Sequence, residues 1–567
     1  MINFNNHLVK KKDIGQFFTP NNISNKLICK TLDYFKLIEP NLQQITILEP
    51  SVGKGVFIKN LLQNLQINDF SFEIIGFEID TDILETCSNN IRENLIQNGV
   101  KITLVNEDFL IQEKKRFSNK IDLIIGNPPY GVSYTPKQLE LINSRFENDF
   151  EYQGRYESSI LFTLKSLDLL FPNGICCLIL PKPIIYSKRW SIFREILLHY
   201  KLLEVLDLGN QFTGQLQEQC VLIIQKSYEK DYFYKTGYWE QSISQFVVES
   251  SINNKYAKQL DNFLVGLTSE ELNLITKVTK NSRKLPINAF RGINSIYRVK
   301  KGKIPLVEKS IIKNGFLAPE KHFVDDEIPL KVVKRQKQRK ILAQRILSYQ
   351  TKPKFKLLTK IWVDTEGQII THETVINIIL LKPENGLNVY NLAGLLQSEF
   401  VRWWLQHAVF TKRFVTSKDL DRSYLQSILI PIFNTKKVDK YKRKQIKEDI
   451  KELKLEILKK MIDTSSVHEK FFLLGEIYKI FQNTGDKLRF EILANFHEAS
   501  QYQMFNQIYN KLKKGMVLTQ ISTEKQLYIQ SLFNELSKYQ KFIDETVFSI
   551  YNLSPEEISL ILGINDG

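Results

Sequence analysis

Ten residues, Ile121-Asp-Leu-Ile-Ile-Gly-Asn-Pro-Pro-Tyr130, constrain the fold more than any other stretch of the 567-residue chain. The apolar run bounded by Gly126 reads as a strand buried on both faces, as in a parallel sheet. Pro128 and Pro129 fix φ and bring no N–H, so the ladder stops there. Asn127 is left at the strand's carboxyl edge with its amide directed into a crevice, and open α/β sheets hold ligands at such edges. The Asn127 side-chain oxygen and a prolyl carbonyl can accept hydrogen bonds from one NH₂ group, while Tyr130 offers a flat face. That set suits an exocyclic amine on a planar ring. The plain alternative, for the four residues alone, is an ordinary turn.

Three upstream blocks repeat the strand-to-loop pattern. Ile45-Thr-Ile-Leu-Glu-Pro-Ser-Val-Gly-Lys-Gly-Val-Phe57 reads as a strand, a glycine turn and a helix, with Gly53 and Gly55 allowing close backbone approach to a ligand. Glu49 at the strand end repels a pyrophosphate but suits a cationic amino group. No GxxxxGK[ST] occurs, so a nucleotide triphosphatase is not supported. Phe72-Glu-Ile-Ile-Gly-Phe-Glu-Ile-Asp80 sets Glu78 about 20 positions after the glycine loop, where an acid accepts from ribose hydroxyls, with Ile79 covering one face of a base. Ile102-Thr-Leu-Val-Asn-Glu-Asp-Phe109 ends in a carboxylate, Asp108, and a ring, Phe109. Any one of these acids reads as a solvated loop residue or a helix cap; three strand-end acids followed by the Asn127 turn are a far less probable accident.

Charge divides the chain. Residues 1–235 hold 26 Lys+Arg against 27 Asp+Glu, whereas residues 236–567 hold 52 against 35, so the whole excess of +16 is C-terminal. A neutral half with a small-molecule site joined to a basic half fits an enzyme acting on a polyanion, since phosphate neutralisation supplies most sequence-independent affinity for nucleic acid. The five cysteines, Cys29, Cys87, Cys176, Cys177 and Cys220, form no CxxC and no metal-ligand spacing with histidine, so a reducing cytoplasm and no metal are expected. Neither a signal peptide nor a membrane span is expected.

The order of these blocks resembles the gamma class of N6-adenine DNA methyltransferases. The resemblance implies S-adenosylmethionine as cofactor and a Rossmann-like α/β catalytic domain over residues 1–235. It implies an α+β target-recognition domain over 236–435, similar to TaqI-like specificity domains, and a mainly helical region over 436–567. By that likeness Thr19 and Pro20, in Gly15-Gln-Phe-Phe-Thr-Pro20, close over the methionine end of the cofactor. Glu49, Ser51, Gly53 and Gly55 line its cradle, Glu78 takes the ribose, and Ile79, Asp108 and Phe109 surround the adenine. Asn127, Pro128, Pro129 and Tyr130 form the catalytic turn; Tyr130 and Phe212 stack on the target base, with Phe162 a second candidate for the pocket wall. Helix 157–170, strand 175–181 and the hairpin through 205–212 and 220–224 continue that fold.

In the basic half, residues 331–345 hold seven basic side chains and no acid, which makes Lys334, Arg335, Lys337, Arg339 and Lys340 candidates for DNA contact; a solvated helix face is the competing reading. Trp403 and Trp404 read as core. Ile446, Ile450, Leu453, Ile457 and Met461 form one apolar stripe, and Ser554-Pro-Glu-Glu557 reads as a capping box. The expected partner is double-stranded DNA, with or without a separate cognate endonuclease, and the chain is expected to act as a monomer. A protein-glutamine methyltransferase and a non-catalytic DNA-binding subunit are the rival functions.

Overall fold

The computed structural model describes residues 19–38, 44–65, 71–92, 100–112, 120–132, 134–136, 140, 157–212, 217–308, 312–313, 316–319, 321–345, 357, 360–381, 386–412, 420–432, 438–451 and 455–563. The chain divides into two compact units, residues 1–269 with 410–416, and residues 270–409 with 417–567.

The first unit is built on a nine-stranded sheet: β1 (Gln44–Glu49), β2 (Ser71–Phe77), β3 (Val100–Val105), β4 (Ile121–Gly126), β5 (Leu170–Pro181), β6 (Lys201–Gly209), β7 (Gln219–Gln225), β8 (Phe233–Glu240) and β9 (Gln245–Asn253). Their order is β3-β2-β1-β4-β5-β7-β6-β8-β9. The first five are parallel; β7 then runs antiparallel to both β5 and β6. Every hydrophobic residue of β4 is buried, as expected of a central parallel strand. Strand order reverses between β1 and β4, and a crevice opens at the carboxyl ends of such a neighbouring pair. Residue 235 falls within β8, so the sheet runs on beyond it through β9.

Helix α1 (Asn21–Ile38) follows Thr19-Pro20 and buries Ile23, Leu27, Ile28, Leu32 and Phe35, one face of a 3.6-residue period. Helix α2 (Val56–Asn64) starts at Gly55, whose φ of 83° is left-handed, and a Cβ there would lie 2.8 Å from Cys87 Sγ. Helix α3 (Thr81–Arg92) follows β2, and α4 (Ser158–Leu169) precedes β5.

The second unit holds a four-stranded antiparallel sheet formed by Ile287–Arg291, Val375–Leu380, Lys340–Gln344 and Ile361–Asp364. It also contains the long helices Val467–Asn495 and Thr523–Ile550. Trp403 and Trp404 are buried, as expected. Ser554 and Glu557 form the reciprocal capping box at the start of Pro555–Leu562. The apolar stripe is displaced. Ile446 and Ile450 are buried on Lys440–Lys451, but the next helix, Leu455–Thr464, buries Leu458 and Ile462 and leaves Ile457 39 % exposed. One period does not carry across two helices; Leu453 lies outside the described residues.

Candidate active site

The four strand-end residues of the first unit meet along one sheet edge because β1, β2, β3 and β4 are parallel neighbours. In register, Glu49 faces Gly76, Leu48 faces Ile124, and Phe77 faces Val105. Glu49, Glu78, Asp108 and Asn127 therefore leave their strands on the same side.

Glu49 is 1 % exposed, and its Oε2 has no hydrogen-bond partner among the described residues. Burial, and then the nearby Glu78 carboxylate, push its pKa well above the usual carboxylate range. A buried carboxyl oxygen without a donor is costly, so a cationic ligand group here would remove a penalty. Glu78 is buried as well. Its Oε2 accepts from Gly53 N at 3.0 Å and its Oε1 from Asp80 N at 3.1 Å, so this acid ties the glycine loop to the end of β2. Burial also raises its pKa, against the pull of those N–H donors. Gly53 has a φ of 52°, which a side chain would strain. Ile79 stands 56 % exposed beside Glu78, an apolar face at the rim.

Asp108 caps the turn Phe109–Ile111 by accepting from Leu110 N at 2.9 Å. The Phe109 ring is buried between Phe77, edge-on at 5.6 Å, and Phe162, at 5.2 Å. Phe162 is thus the support behind Phe109.

The Asn127 amide is oriented at both ends. Nδ2 donates to Thr19 Oγ1 at 3.2 Å, and the Tyr130 hydroxyl lies against Oδ1 and 3.1 Å from the Ile179 carbonyl. The Asn127 carbonyl accepts from Ser51 Oγ at 3.0 Å and the Pro129 carbonyl from Ser158 Oγ at 2.5 Å. Between them, the Pro128 carbonyl accepts no hydrogen bond among the described residues. Tyr130 and Phe212 are 6 % and 3 % exposed. Phe212 belongs to the same buried core cluster as Leu208 and Ile179. An aromatic in a hairpin loop reads the same in sequence whether it faces a pocket or the core.

Several supports of this edge carry no sequence signal of their own. Lys182, Asp207 and Glu218 are buried together, with Lys182 Nζ 2.8 Å from Asp207 Oδ2 and 3.0 Å from Glu218 Oε1, and they bind β5 to the β6–β7 hairpin. Ser158 and Lys165 read as ordinary residues of an apolar helix. Their partners are backbone carbonyls, which no residue pattern records.

The basic run of the second unit is corrected at one position. Lys334, Arg335, Lys337 and Arg339 are exposed on and after the helix Leu330–Gln336, and the Arg335 guanidinium sits 4.5 Å from the centre of the Phe290 ring. Lys340, expected to contact DNA, is fully buried. Its Nζ donates to Asp364 Oδ2 at 2.9 Å and to the Ile369 and Gln336 carbonyls at 2.7 and 2.5 Å. It opens a central strand and faces inward, so all its protons are spent within the fold. All five cysteines are unpaired, and the described residues contain no cluster able to hold a metal ion. No helix among them is long and apolar enough to cross a membrane.

A doubly wound sheet with this edge is the Rossmann-like fold of the S-adenosylmethionine-dependent methyltransferases. The N-6 DNA Methylase family model matches residues 3–290, half of the chain, and the chain belongs to that family. Among curated relatives, the type II methyltransferase M.AccI of Acinetobacter calcoaceticus is 30 % identical over 222 residues, 38 % of this chain and 37 % of that protein. M.HincII of Haemophilus influenzae is 28 % identical over 207 residues, 36 % and 34 % of the two chains. The match thus spans about a third of these relatives' length. Among solved structures, the type IIL restriction-modification enzyme MmeI in complex with DNA aligns with 96 % of this chain and 75 % of its own, at 12 % identity and a TM-score of 0.49.

Proposed function

We propose that the chain transfers a methyl group from S-adenosylmethionine to N6 of an adenine extruded from double-stranded DNA, as the modification enzyme of a restriction-modification system. The observation that carries this reading is the adjacency, at the β1–β4 reversal, of a buried carboxyl oxygen and the Pro128 carbonyl of the Asn127–Tyr130 turn, both without a donor among the described residues.

The residues fit the cofactor. Glu49 Oε2 would accept from its amino group, Thr19 and Pro20 flank the methionine end, Ser51, Gly53 and Gly55 line the cradle, and Glu78 retains lone pairs for the ribose. Ile79, Asp108 and Phe109 would bound the adenine. When bound, the cofactor supplies an electrophilic methyl group on a sulfonium.

The chain's own residues do the rest. The amino lone pair of adenine is delocalised into its ring, so the nitrogen is a poor nucleophile. Asn127 Oδ1 and the Pro128 carbonyl would accept from its two N–H groups and favour the pyramidal nitrogen of the transition state. An amide oxygen has two lone pairs, so the bond from Tyr130 does not bar one from the base. The amine is paired inside the duplex, so the base must leave the stack, at a cost of a few kcal/mol. Stacking on Tyr130 and Phe212 would offset part of this, and it requires a face of these buried rings to be uncovered as the base enters.

The second unit is proposed to hold and read the DNA. Its exposed Lys334, Arg335, Lys337 and Arg339 suit phosphate contact; Lys340 is not among them. The test is incubation of the purified chain with methyl-labelled cofactor and, separately, duplex DNA, RNA and a release-factor protein. Label is expected in DNA alone. Label in the protein would support a glutamine methyltransferase, and none anywhere a non-catalytic subunit.

A further inference from the structure

We propose, resting on the function above, that Ser158 and Lys165 of α4 are positioning residues that set the acceptor turn against the loop holding the cofactor's adenine. Residues 158, 162 and 165 fall within about 60° of one another on a helix at about 100° per residue, so they share a face, about 10 Å from first to last. That face touches both halves of the site. At one end Ser158 Oγ donates to the Pro129 carbonyl, and Glu157 Oε1, just before the helix, accepts from Gly131 N at 3.0 Å. In the middle Phe162 packs on Phe109. At the far end Lys165 Nζ donates to the Leu110 and Gln112 carbonyls at 3.0 and 2.7 Å, and to the Phe109 carbonyl.

The two ends act differently. Proline fixes φ but leaves ψ free, so the two prolines alone do not aim the Pro128 carbonyl. The peptide planes on either side of it are held by Ser51, from the glycine loop, and by Ser158, which leaves the middle carbonyl a single direction. At Lys165, 2 % exposed, a buried ammonium is tolerated only while carbonyls converge on it. That requirement fixes the course of residues 109–112, behind Asp108. Because α4 is buried on nearly all sides, a shift at one end is carried to the other rather than absorbed.

The test separates binding from chemistry. Cofactor affinity is measured by calorimetry with S-adenosylmethionine, and the single-turnover rate of 6-methyladenine formation by mass spectrometry on duplex DNA. Ser158→Ala is expected to slow the single-turnover rate about tenfold, the effect of one lost hydrogen bond, with the cofactor Kd within about twofold of wild type. Lys165→Met is expected to raise the cofactor Kd about tenfold or more, with Lys165→Arg recovering part of the loss. Should Lys165→Met not fold, Lys165→Gln, which keeps two donors, takes its place with the same expectation. A Ser158→Ala rate within twofold of wild type overturns the first role. An unchanged cofactor Kd in the Lys165 variants overturns the second. A wild-type chain that makes no 6-methyladenine overturns the function and with it the role of Ser158, while the Lys165 role is still decided by cofactor binding.

Discussion

Two buried strand-end carboxylates, Glu49 in the first unit and Asp364 in the second, have opposite surroundings. Asp364 Oδ1 accepts from Gly367 N and Gln368 N, and its Oδ2 from Ile369 N and Lys340 Nζ. Four donors converge on it, and the group is complete. Nearby, Gln336, Thr371 and Asn377 satisfy one another in the same way. Glu49, equally buried, keeps one oxygen without a donor among the described residues and holds its proton to higher pH. Burial alone therefore does not mark a site. An open oxygen alone does not mark one either, since Glu204 also keeps Oε2 without a partner among the described residues while its Oε1 takes Lys30 and Tyr34; Glu49 differs in standing at the strand edge beside the Asn127 turn.

The contrast is broken most forcefully at Asp364. Asp364→Ala leaves Lys340 buried without its partner and should destabilise the chain by about 3–5 kcal/mol in denaturant titration. Survival of full stability would show that the pair is not structural. Asn127→Ala should lower the methylation rate by about 10²–10³-fold, the effect of one preorganised polar group facing a developing charge, while the denaturation midpoint stays near that of wild type.

Glu49→Gln should do the reverse of Asp364→Ala and stabilise the chain without cofactor, by about 1–3 kcal/mol. The sign with pH follows from the direction of the shift. A carboxyl whose pKa is raised on folding is more readily ionised in the unfolded chain, so wild-type stability falls as pH rises above the ordinary Glu value. The advantage of the variant should widen over that interval and level off above the raised pKa. The same variant should bind S-adenosylmethionine at least tenfold more weakly, and the proton that wild type releases on binding, read by calorimetry in buffers of different ionisation heat, should vanish. The smallest effect is at the surface. Lys334→Ala should lower the salt slope of DNA binding by about one, whereas Lys340→Met should leave that slope unchanged.

The residues of the sheet edge were legible in the sequence because a parallel strand declares its own end: an apolar run stops, and the next polar residue must stand on the carboxyl edge. Glu49, Glu78 and Asn127 obey that rule, whereas Asp108 follows Asn106 and Glu107 three residues past the end of β3. What was not legible depends on partners far away in the chain. Lys340 sits within a run of basic residues and reads as surface, yet it opens a strand whose neighbour supplies Asp364. Ser158 and Lys165 bond carbonyls, which every residue type possesses.

Nucleoside mass spectrometry of duplex DNA after reaction with S-adenosylmethionine, wild type beside Asn127→Ala, tests the joint use of the unpaired carboxylate and the Asn127 turn most directly. The expected result is 6-methyladenine from wild type and a loss of at least about a hundredfold in the variant. Methylation at cytosine, or an Asn127→Ala chain as active as wild type, would contradict it.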